Sequence, residues 1–339
     1  MSVAVSIQTE DIKQVAIYVI VSFVIAFLIA PLLTNFLFKN RIGKRLRQHG
    51  SDGNAAPIFT KLHKDKEGTP TMGGVLFWVT TAVLTAIFNL DRAETWLPLF
   101  ALVSAGVIGA VDDILNVLGK GSNGGGLRLK YKLWVYVAVA AIGAWWFYSK
   151  LGFNTLHIPH FGTFTIGWLY IPLFIATVIF TAFSMNQTDG LDGLAAGVSM
   201  PAFGVFMFIA LTQGKVHLAI FCACMFGALL SFLWFNIHPA RFFMGDTGSM
   251  ALGMTLPVLA FLTNSVAVLP FLLLIPYIEG IATMIQIFSK RVFHRKVFLV
   301  APIHHHFEAL GWPEPRVTMR FWVIAAVGCS IGLMLALLQ

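Results

Sequence analysis

Long apolar runs, separated by short polar intervals, recur along the chain from residue 15 to its last residues. A bilayer core needs about 20 apolar residues per helix, and this length divides the sequence into about ten candidate transmembrane helices. No polar interval is long enough for a separate soluble domain, so we expect one all-α integral membrane domain over residues 1–339. The predicted spans are 15–38, 73–90, 95–115, 131–149, 167–185, 193–213, 216–237, 249–263, 265–289 and 318–338.

Two segments depart from simple spans. Residues 150–166 contain Pro159, Gly162 and a short alternation of polar and apolar residues, which predicts a short extracytoplasmic β-hairpin. Glu279 lies inside the ninth apolar run beside Pro276 and Gly280. This combination predicts a bent or interrupted helix that lines a cavity or groove.

Lysine and arginine residues predict the orientation in the membrane. They accumulate in the loops after spans 1, 3 and 9, whereas the alternate loops carry few of them. By the positive-inside rule the odd-numbered loops are cytoplasmic and both termini lie outside. Five polar clusters, of which the first contains Asp112 and the last contains His306, fall at or next to the cytoplasmic loops. We therefore expect a site at the cytoplasmic face.

Composition supports a membrane protein. Hydrophobic residues make up 58% of the chain and charged residues 11%, whereas a soluble domain carries about 25% charged residues. The mean hydropathy is +0.80. The formal net charge of +8 is spread over several loops, and anionic lipid headgroups explain it without a nucleic acid. We expect membrane lipid, and no nucleic acid, among the partners.

Carboxylates at the ends of apolar helices often mark a site, because they are costly to hold near lipid. Asp112 and Asp113 end the third span and are both candidate catalytic residues. Adjacent helical residues point about 100° apart, so we expect different roles for the two. One could face a metal or substrate while the other organises basic neighbours; a solvated helix end is the alternative.

Two glycine-rich segments carry further acids. Residues 186–194 read NQTDGLDGL, in which Asp189 and Asp192 alternate with glycines that allow close backbone approach to a ligand. A plain Asp-Gly turn is the alternative. Asp246 lies between two glycines at the start of the eighth span, and such an acid suits Mg²⁺, which is held by one or two carboxylates with phosphates and water. Phe243 could stack on a base or anchor the helix at the interface.

The last basic loop contains His304, His305 and His306. Their spacing does not match a helical zinc pair, which leaves phosphate contacts or acid–base work, with a surface cluster as the alternative. Residues 68–74 open the second span after Lys66. They either bind phosphate through the N–H groups of a helix start or form a tight packing turn.

Five strings, taken together, resemble the phospho-N-acetylmuramoyl-pentapeptide transferase family, a branch of the polyprenyl-phosphate N-acetylhexosamine-1-phosphate transferases. They occur in the family's order, and the likeness covers almost the whole chain. The histidine string is similar to the muramoyl branch rather than to the GlcNAc-1-phosphate relatives. The strings are KEGTPTMGG (66–74), VDD (111–113), NQTDGLDGL (186–194), FMGDTGS (243–249) and APIHHHFE (301–308).

The resemblance implies an Mg²⁺-dependent enzyme of the bacterial cytoplasmic (inner) membrane. It would use UDP-MurNAc-pentapeptide and undecaprenyl phosphate, release UMP and form lipid I for peptidoglycan; a homodimer is implied by family analogy. The resemblance assigns Asp246 to Mg²⁺, Asp112 to a base or nucleophile, His304 to the phosphate side, and Asp192 and Phe243 to the nucleoside. Further substrate-site positions that it implies are Lys66, Lys132, Asn186, Asp189, Asn236, His305 and His306.

The chain departs from the family pattern at several positions. Family members usually have Asn in place of Phe183 and Leu in place of Gln187, often Lys in place of Asn116, and an R-x-D-G-P segment where residues 51–56 read SDGNAA. The acidic and histidine core is intact, so the resemblance still implies transferase chemistry.

Two other functions fit parts of the same pattern. A GlcNAc-1-phosphate transferase of the same superfamily would differ in its donor. An ion-coupled transporter would also carry polar residues in its spans. Transporter sites lie near the membrane midplane, whereas almost every acid here lies toward one face, with Glu279 as the exception.

Overall fold

The computed structural model describes residues 7–40, 42–43, 66, 68–120, 126–127 and 129–338. Within these ranges the chain forms twelve α-helices and one two-stranded antiparallel hairpin. The prediction of an all-α membrane protein with one short hairpin is confirmed. The departure at residues 51–56 lies outside the described residues.

The helices and strands follow one another along the chain with short connections. A π-helical turn, Trp146–Lys150, extends α4, and 3₁₀ turns at Gly167–Leu169 and Val266–Val268 precede α5 and α9. The elements are α1 (Thr9–Lys39), α2 (Val75–Phe88), α3 (Trp96–Val117), α4 (Leu129–Trp145), β1 (Thr155–Ile158), β2 (Gly162–Thr165), α5 (Tyr170–Thr188), α6 (Leu194–Thr212), α7 (Val216–Asn236), α8 (Gly245–Leu262), α9 (Leu269–Leu272), α10 (Leu274–Val292), α11 (Ile303–Ala309) and α12 (Glu314–Leu337).

Each of the ten predicted spans is helical in the structure. Six helices, α1, α3, α5 with its 3₁₀ turn, α6, α7 and α12, are long and apolar enough to cross a membrane. The bent pair around α9 and α10 makes a seventh if it is counted as one span. Helix α2 has 14 residues, or about 21 Å of helix, which is shorter than the hydrocarbon core of about 30 Å.

The ninth predicted span is interrupted, as the sequence predicts. Its two pieces, Val266–Leu272 and Leu274–Val292, meet at an angle of 84°. The break precedes Pro276 rather than falling on it, so Pro276 lies in the first turn of α10. A proline is tolerated there because N–H groups of the first turn have no partner within the helix.

Helix α8 forms the centre of the bundle, since all of its residues are buried. Helices α2 and α3 approach its first turn closely at glycines, as small residues allow in membranes. A Cβ at Gly109 of α3 would lie 2.5 Å from the Cα of Thr247, and a Cβ at Gly74 would lie 2.6 Å from the Gly248 nitrogen. The first turn of α8, which contains Asp246, is therefore held between α2 and α3.

The hairpin lies at the other end of the bundle. Strand β1 packs beside the 3₁₀ turn Val266–Val268, which follows the C-terminal end of α8. Thr155 pairs with Thr165 and Ile158 with Gly162. Gly162 has a φ of 95°, which glycine adopts without strain.

Candidate active site

Three helices bring two carboxylates to one lysine in a group that we call the Lys132 cluster (Asp112, Lys132 and Asp246). The Nζ atom of Lys132 lies 2.6 Å from Asp112 Oδ2 and also pairs with Asp246 Oδ2. The three residues are only 0%, 8% and 7% exposed, respectively. Two carboxylates and one ammonium leave a formal charge of −1, which is costly in a buried place unless further donors stabilise it.

Neighbouring N–H groups supply such donors. The Leu127 N–H donates to Asp112 Oδ1 over 2.5 Å. The Asn186 amide, near the end of α5, donates to Asp246 Oδ1 over 2.7 Å and lies 3.2 Å from Ser249 Oγ. In each acid one oxygen faces Lys132 and the other accepts an N–H, so both carboxylates are held in one orientation.

Asp113 has different partners from Asp112. Its Oδ1 accepts the Asp246 N–H over 3.1 Å, and its Oδ2 accepts the Thr247 N–H over 3.0 Å. These donors belong to the first turn of α8, where a helix has no internal acceptors. Gly245 has a φ of 77°, and a Cβ there would lie 2.5 Å from Asp113 Oδ2. Asp113 therefore positions Asp246 through the backbone of α8.

Glu279 organises the histidine segment. Its Oε2 accepts the Ile303 N–H over 2.6 Å, and its Oε1 accepts the His304 N–H over 3.2 Å. The Nδ1 atom of His304 lies 3.1 Å from Glu279 Oε1, and both side chains are completely buried. Glu279 thus caps α11, and its carboxylate lies beside the ring of His304.

The same ring packs on the glycine-rich segment after α5. A Cβ at Gly190, next to Asp189, would lie 2.8 Å from His304 Cε1. Both ring nitrogens of His304, Nδ1 and Nε2, are buried without a hydrogen-bond partner in the described part of the chain. Segments 186–194 and 301–308, far apart in sequence, therefore meet.

The other two histidines have separate partners. His305 Nδ1 lies 2.6 Å from Glu308 Oε2, and His306 Nδ1 accepts the Leu299 N–H over 3.2 Å. The three rings thus point to three different neighbours. His304 reaches the glycine-rich segment through the contact at Gly190.

A second group, the Lys66 cluster (Lys66, Asp192, His238 and Glu314), lies at the starts of α6 and α12. Lys66 Nζ is 2.7 Å from Asp192 Oδ1 and 2.5 Å from Glu314 Oε1. His238 Nδ1 lies 3.0 Å from Asp192 Oδ2. As in the first cluster, two carboxylates surround one ammonium.

Asn236 and Phe243 adjoin the Lys66 cluster. Asn236 Oδ1 accepts the Gly193 N–H over 2.9 Å, and its amide donates to the Phe242 carbonyl over 2.8 Å. Lys66 Nζ lies 5.7 Å from the centre of the Phe243 ring, a distance typical of a cation–π contact. One aromatic ring, a lysine and a carboxylate thus lie side by side.

The segment before α2 forms a packing turn. The N–H groups of Gly73 and Gly74 donate to the carbonyls of Phe243 and Met244 over 2.9 Å each. These two N–H groups are therefore used within the protein, and the phosphate-binding alternative for them is wrong. The turn instead ties string 66–74 to string 243–249.

Sequence reasoning placed its candidate residues in the five strings and at Lys132 and Asn236, and the structure places these residues at one end of the bundle. It missed His238 and Glu314. An acid in the first turn of an apolar helix ordinarily signals a helix cap, so Glu314 gave no indication of a lysine 248 positions away.

Comparison with known proteins gives two matches to family models. Residues 95–264 match glycosyl transferase family 4, and residues 66–77 match phospho-N-acetylmuramoyl-pentapeptide-transferase signature 1. The second match covers Lys66 and the packing turn before α2.

Full-length relatives carry the same name. The chain is 36% identical to a phospho-N-acetylmuramoyl-pentapeptide-transferase of Chloroflexus aggregans over 353 positions, covering 100% of this chain and 94% of the relative. It is 37% identical to the protein of that name in Geobacillus thermodenitrificans, covering 94% and 97%. The identity to the protein of that name in Clostridium kluyveri is 35%, covering 93% and 96%. With this identity over nearly its whole length, the chain belongs to the phospho-N-acetylmuramoyl-pentapeptide-transferase family.

Proposed function

We propose that the protein transfers phospho-MurNAc-pentapeptide from UDP-MurNAc-pentapeptide to undecaprenyl phosphate, with release of UMP and formation of lipid I. The reaction takes place at the cytoplasmic face of the bacterial inner membrane. The observation that carries the proposal is the buried Lys132 cluster, in which Asp112, Lys132 and Asp246 meet from three helices. The names of the full-length relatives support UDP-MurNAc-pentapeptide as the donor.

The Lys132 cluster fits Mg²⁺ by the chemistry of its donors. Asp246 and Asp112 offer carboxylate oxygens, which Mg²⁺ prefers, and their two charges face a single ammonium. Asp246 would hold the ion, with Asp112 beside it. When bound, Mg²⁺ supplies positive charge that stabilises the pyrophosphate of the donor.

Phosphoryl transfer requires placement of two anionic reactants more than covalent work by the protein. In the proposed reaction an oxygen of the lipid phosphate forms a bond to the β-phosphorus of the donor. The bond from that phosphorus to the bridging oxygen breaks, and UMP leaves with the electron pair. Asp112 accepts any proton still present on the attacking phosphate, and Lys132 places positive charge beside the reacting oxygens.

His304 acts on the phosphate side. Glu279 accepts the His304 backbone N–H and lies 3.1 Å from Nδ1, and Nε2 faces the backbone of Gly190. A buried ring nitrogen without a protein partner can form a hydrogen bond with a substrate phosphate. His305 and His306 line the same segment as further substrate contacts.

The nucleoside lies on the Lys66 side. The Phe243 ring offers a face for the base, while Asp192 and Asn236 offer polar groups at the start of α6. Asn186, at the other end of the glycine-rich segment, donates to Asp246 of the Lys132 cluster, and Asp189 is a further substrate contact of the same segment. The segment 186–194 thus spans the proposed path from nucleoside to pyrophosphate.

Release of UMP by the purified protein tests the proposal. We expect UMP from UDP-MurNAc-pentapeptide only when undecaprenyl phosphate and Mg²⁺ are both added. UMP release from UDP-GlcNAc instead would assign the chain to the GlcNAc-1-phosphate branch, and no release from either donor would refute a transferase.

Inversion at the transferred phosphorus indicates a single displacement, and retention indicates a covalent aspartyl intermediate.

A further inference from the structure

One face of the last helix holds the backbone of the loop between α5 and α6. Glu314, Thr318 and Trp322 follow at intervals of four residues, which places them on one side of α12. Glu314 Oε1 accepts the Asp192 N–H over 2.7 Å, Thr318 Oγ1 lies 3.3 Å from the Asp192 carbonyl, and Trp322 Nε1 donates to the Gly193 carbonyl over 3.1 Å. The start of α12 therefore sets the position of Asp192.

Glu314 differs from the other two because it also binds a charge. The same Oε1 atom that accepts the Asp192 N–H lies 2.5 Å from Lys66 Nζ. Lys66 in turn is 2.7 Å from Asp192 Oδ1. A single carboxylate oxygen thus ties Lys66 to the Asp192 loop, and both side chains of this ion pair are mostly buried.

The cation of this group is the ammonium of Lys66. Ligand atoms of Asp192, His238 and Glu314 lie within 4.8 Å of one another, a spacing that would also suit a metal ion. Lys66 Nζ lies within 2.7 Å of both carboxylates, so its ammonium balances their charge in this structure. Asp192 and Glu314 therefore hold Lys66.

We infer that Glu314 is a positioning residue for the nucleotide side of the active site, through its ion pair with Lys66; this inference rests on the proposed function. Glu314 belongs to the Lys66 cluster and not to the Lys132 cluster, which is proposed to act on the phosphates. Its carboxylate keeps Lys66 beside Phe243 and Asp192 before the donor arrives. Loss of its charge should therefore weaken binding of the donor more than it slows the chemical step.

The test compares steady-state kinetics with UDP-MurNAc-pentapeptide for the full-length protein and its variants. Glu314→Gln keeps an acceptor for the Asp192 N–H but removes the charge that faces Lys66. We expect its KM for the donor to rise about tenfold, the value of one charge-assisted hydrogen bond, with kcat changed less than threefold. Glu314→Asp keeps the charge, so its KM should rise less than that of Glu314→Gln.

A double-mutant cycle with Lys66→Met separates this role from a purely structural one. In the Lys66→Met background, Glu314→Gln should raise KM by less than twofold, because the ammonium that pairs with Glu314 is absent. A full tenfold rise in that background would overturn the inference, and so would an unchanged KM in the single variant. If Glu314→Gln does not fold, Glu314→Asp is measured in both backgrounds instead.

The matched control is Glu94→Gln, the same chemical change at the other end of the bundle. Glu94 Oε2 accepts the Leu218 N–H over 3.0 Å at the start of α7. We expect Glu94→Gln to leave KM unchanged, and a tenfold rise in this variant would overturn the specific role of Glu314. If the wild type is active and the Glu314 variants have the same KM as the wild type, this inference alone is refuted. If the wild type is inactive, the proposed function is refuted.

Discussion

The Lys132 cluster and the Lys66 cluster share one charge pattern but differ in construction. In each, two carboxylates surround one ammonium. The Lys132 cluster is built on helices α3, α4 and α8, whose packing fixes its side chains. The Lys66 cluster, which includes the imidazole of His238, is built on connections and helix starts beside the ring of Phe243.

This difference suggests a division of labour. Chemistry on a phosphate requires charges held within fractions of an ångström, and rigid helices provide this. Recognition of a nucleoside requires an aromatic surface and polar edges, which connections provide when they are held in place. We therefore expect changes in the Lys132 cluster to lower kcat and changes in the Lys66 cluster to raise KM.

The largest effect should come from Asp246→Ala. This change removes the proposed metal ligand and leaves Lys132 and Asn186 without their shared acceptor. Turnover should fall by about 10³-fold or more at every practical Mg²⁺ concentration, measured as UMP release. The control Asp91→Ala removes an acid that caps a turn at the opposite end and should keep its activity. A near-normal rate for Asp246→Ala would remove the metal assignment.

Asp112→Asn should lower turnover by about 10²- to 10³-fold, while binding of the donor is mostly kept. The neutral amide cannot accept a proton and loses the charge that faces Lys132. The neighbouring change Asp113→Asn makes a useful contrast. It removes the charge from an acceptor of two α8 N–H groups. Asp113→Asn should therefore lower the thermal unfolding midpoint in addition to turnover. Unchanged turnover in Asp112→Asn would refute its chemical role.

Glu279→Gln should lower kcat by about 10- to 100-fold, because small displacements of a group that contacts the reactants are costly. The amide weakens the hold on His304 while keeping one acceptor for the α11 backbone. Glu308→Gln is the matched comparison, since Glu308 holds His305 in the same segment. Its effect should be smaller, and equal losses in the two variants would argue against a special role of His304.

The smallest effect should come from Phe243→Leu, which acts on the Lys66 cluster. We expect a rise in KM for the donor of about fivefold with kcat nearly unchanged, since the change removes one aromatic contact with Lys66 and the proposed base. Phe243→Trp should keep KM within about twofold of the wild type. A loss in kcat without a change in KM would contradict the division between the two clusters.

Much of the fold could be predicted because membrane helices must satisfy their backbone hydrogen bonds internally and present apolar side chains to lipid. Each of the ten apolar runs is helical, the ninth as the bent pair α9 and α10, and the hairpin at residues 150–166 is present. The boundary of the eighth span was less accurate. The prediction began at residue 249, whereas α8 begins at Gly245, because Asp113 of α3 caps its first turn.

The amino-acid sequence by itself determined the membrane class, the apolar segments and the five polar strings, because each of these depends on neighbouring residues or on composition. Only the tertiary structure decided which residues meet. Lys66 pairs with Glu314 across 248 positions, and Asp112 reaches Asp246 through a lysine on a third helix. Such contacts depend on how helices pack at glycines such as Gly109. A pattern of neighbouring residues in the sequence does not predict which helices pack together.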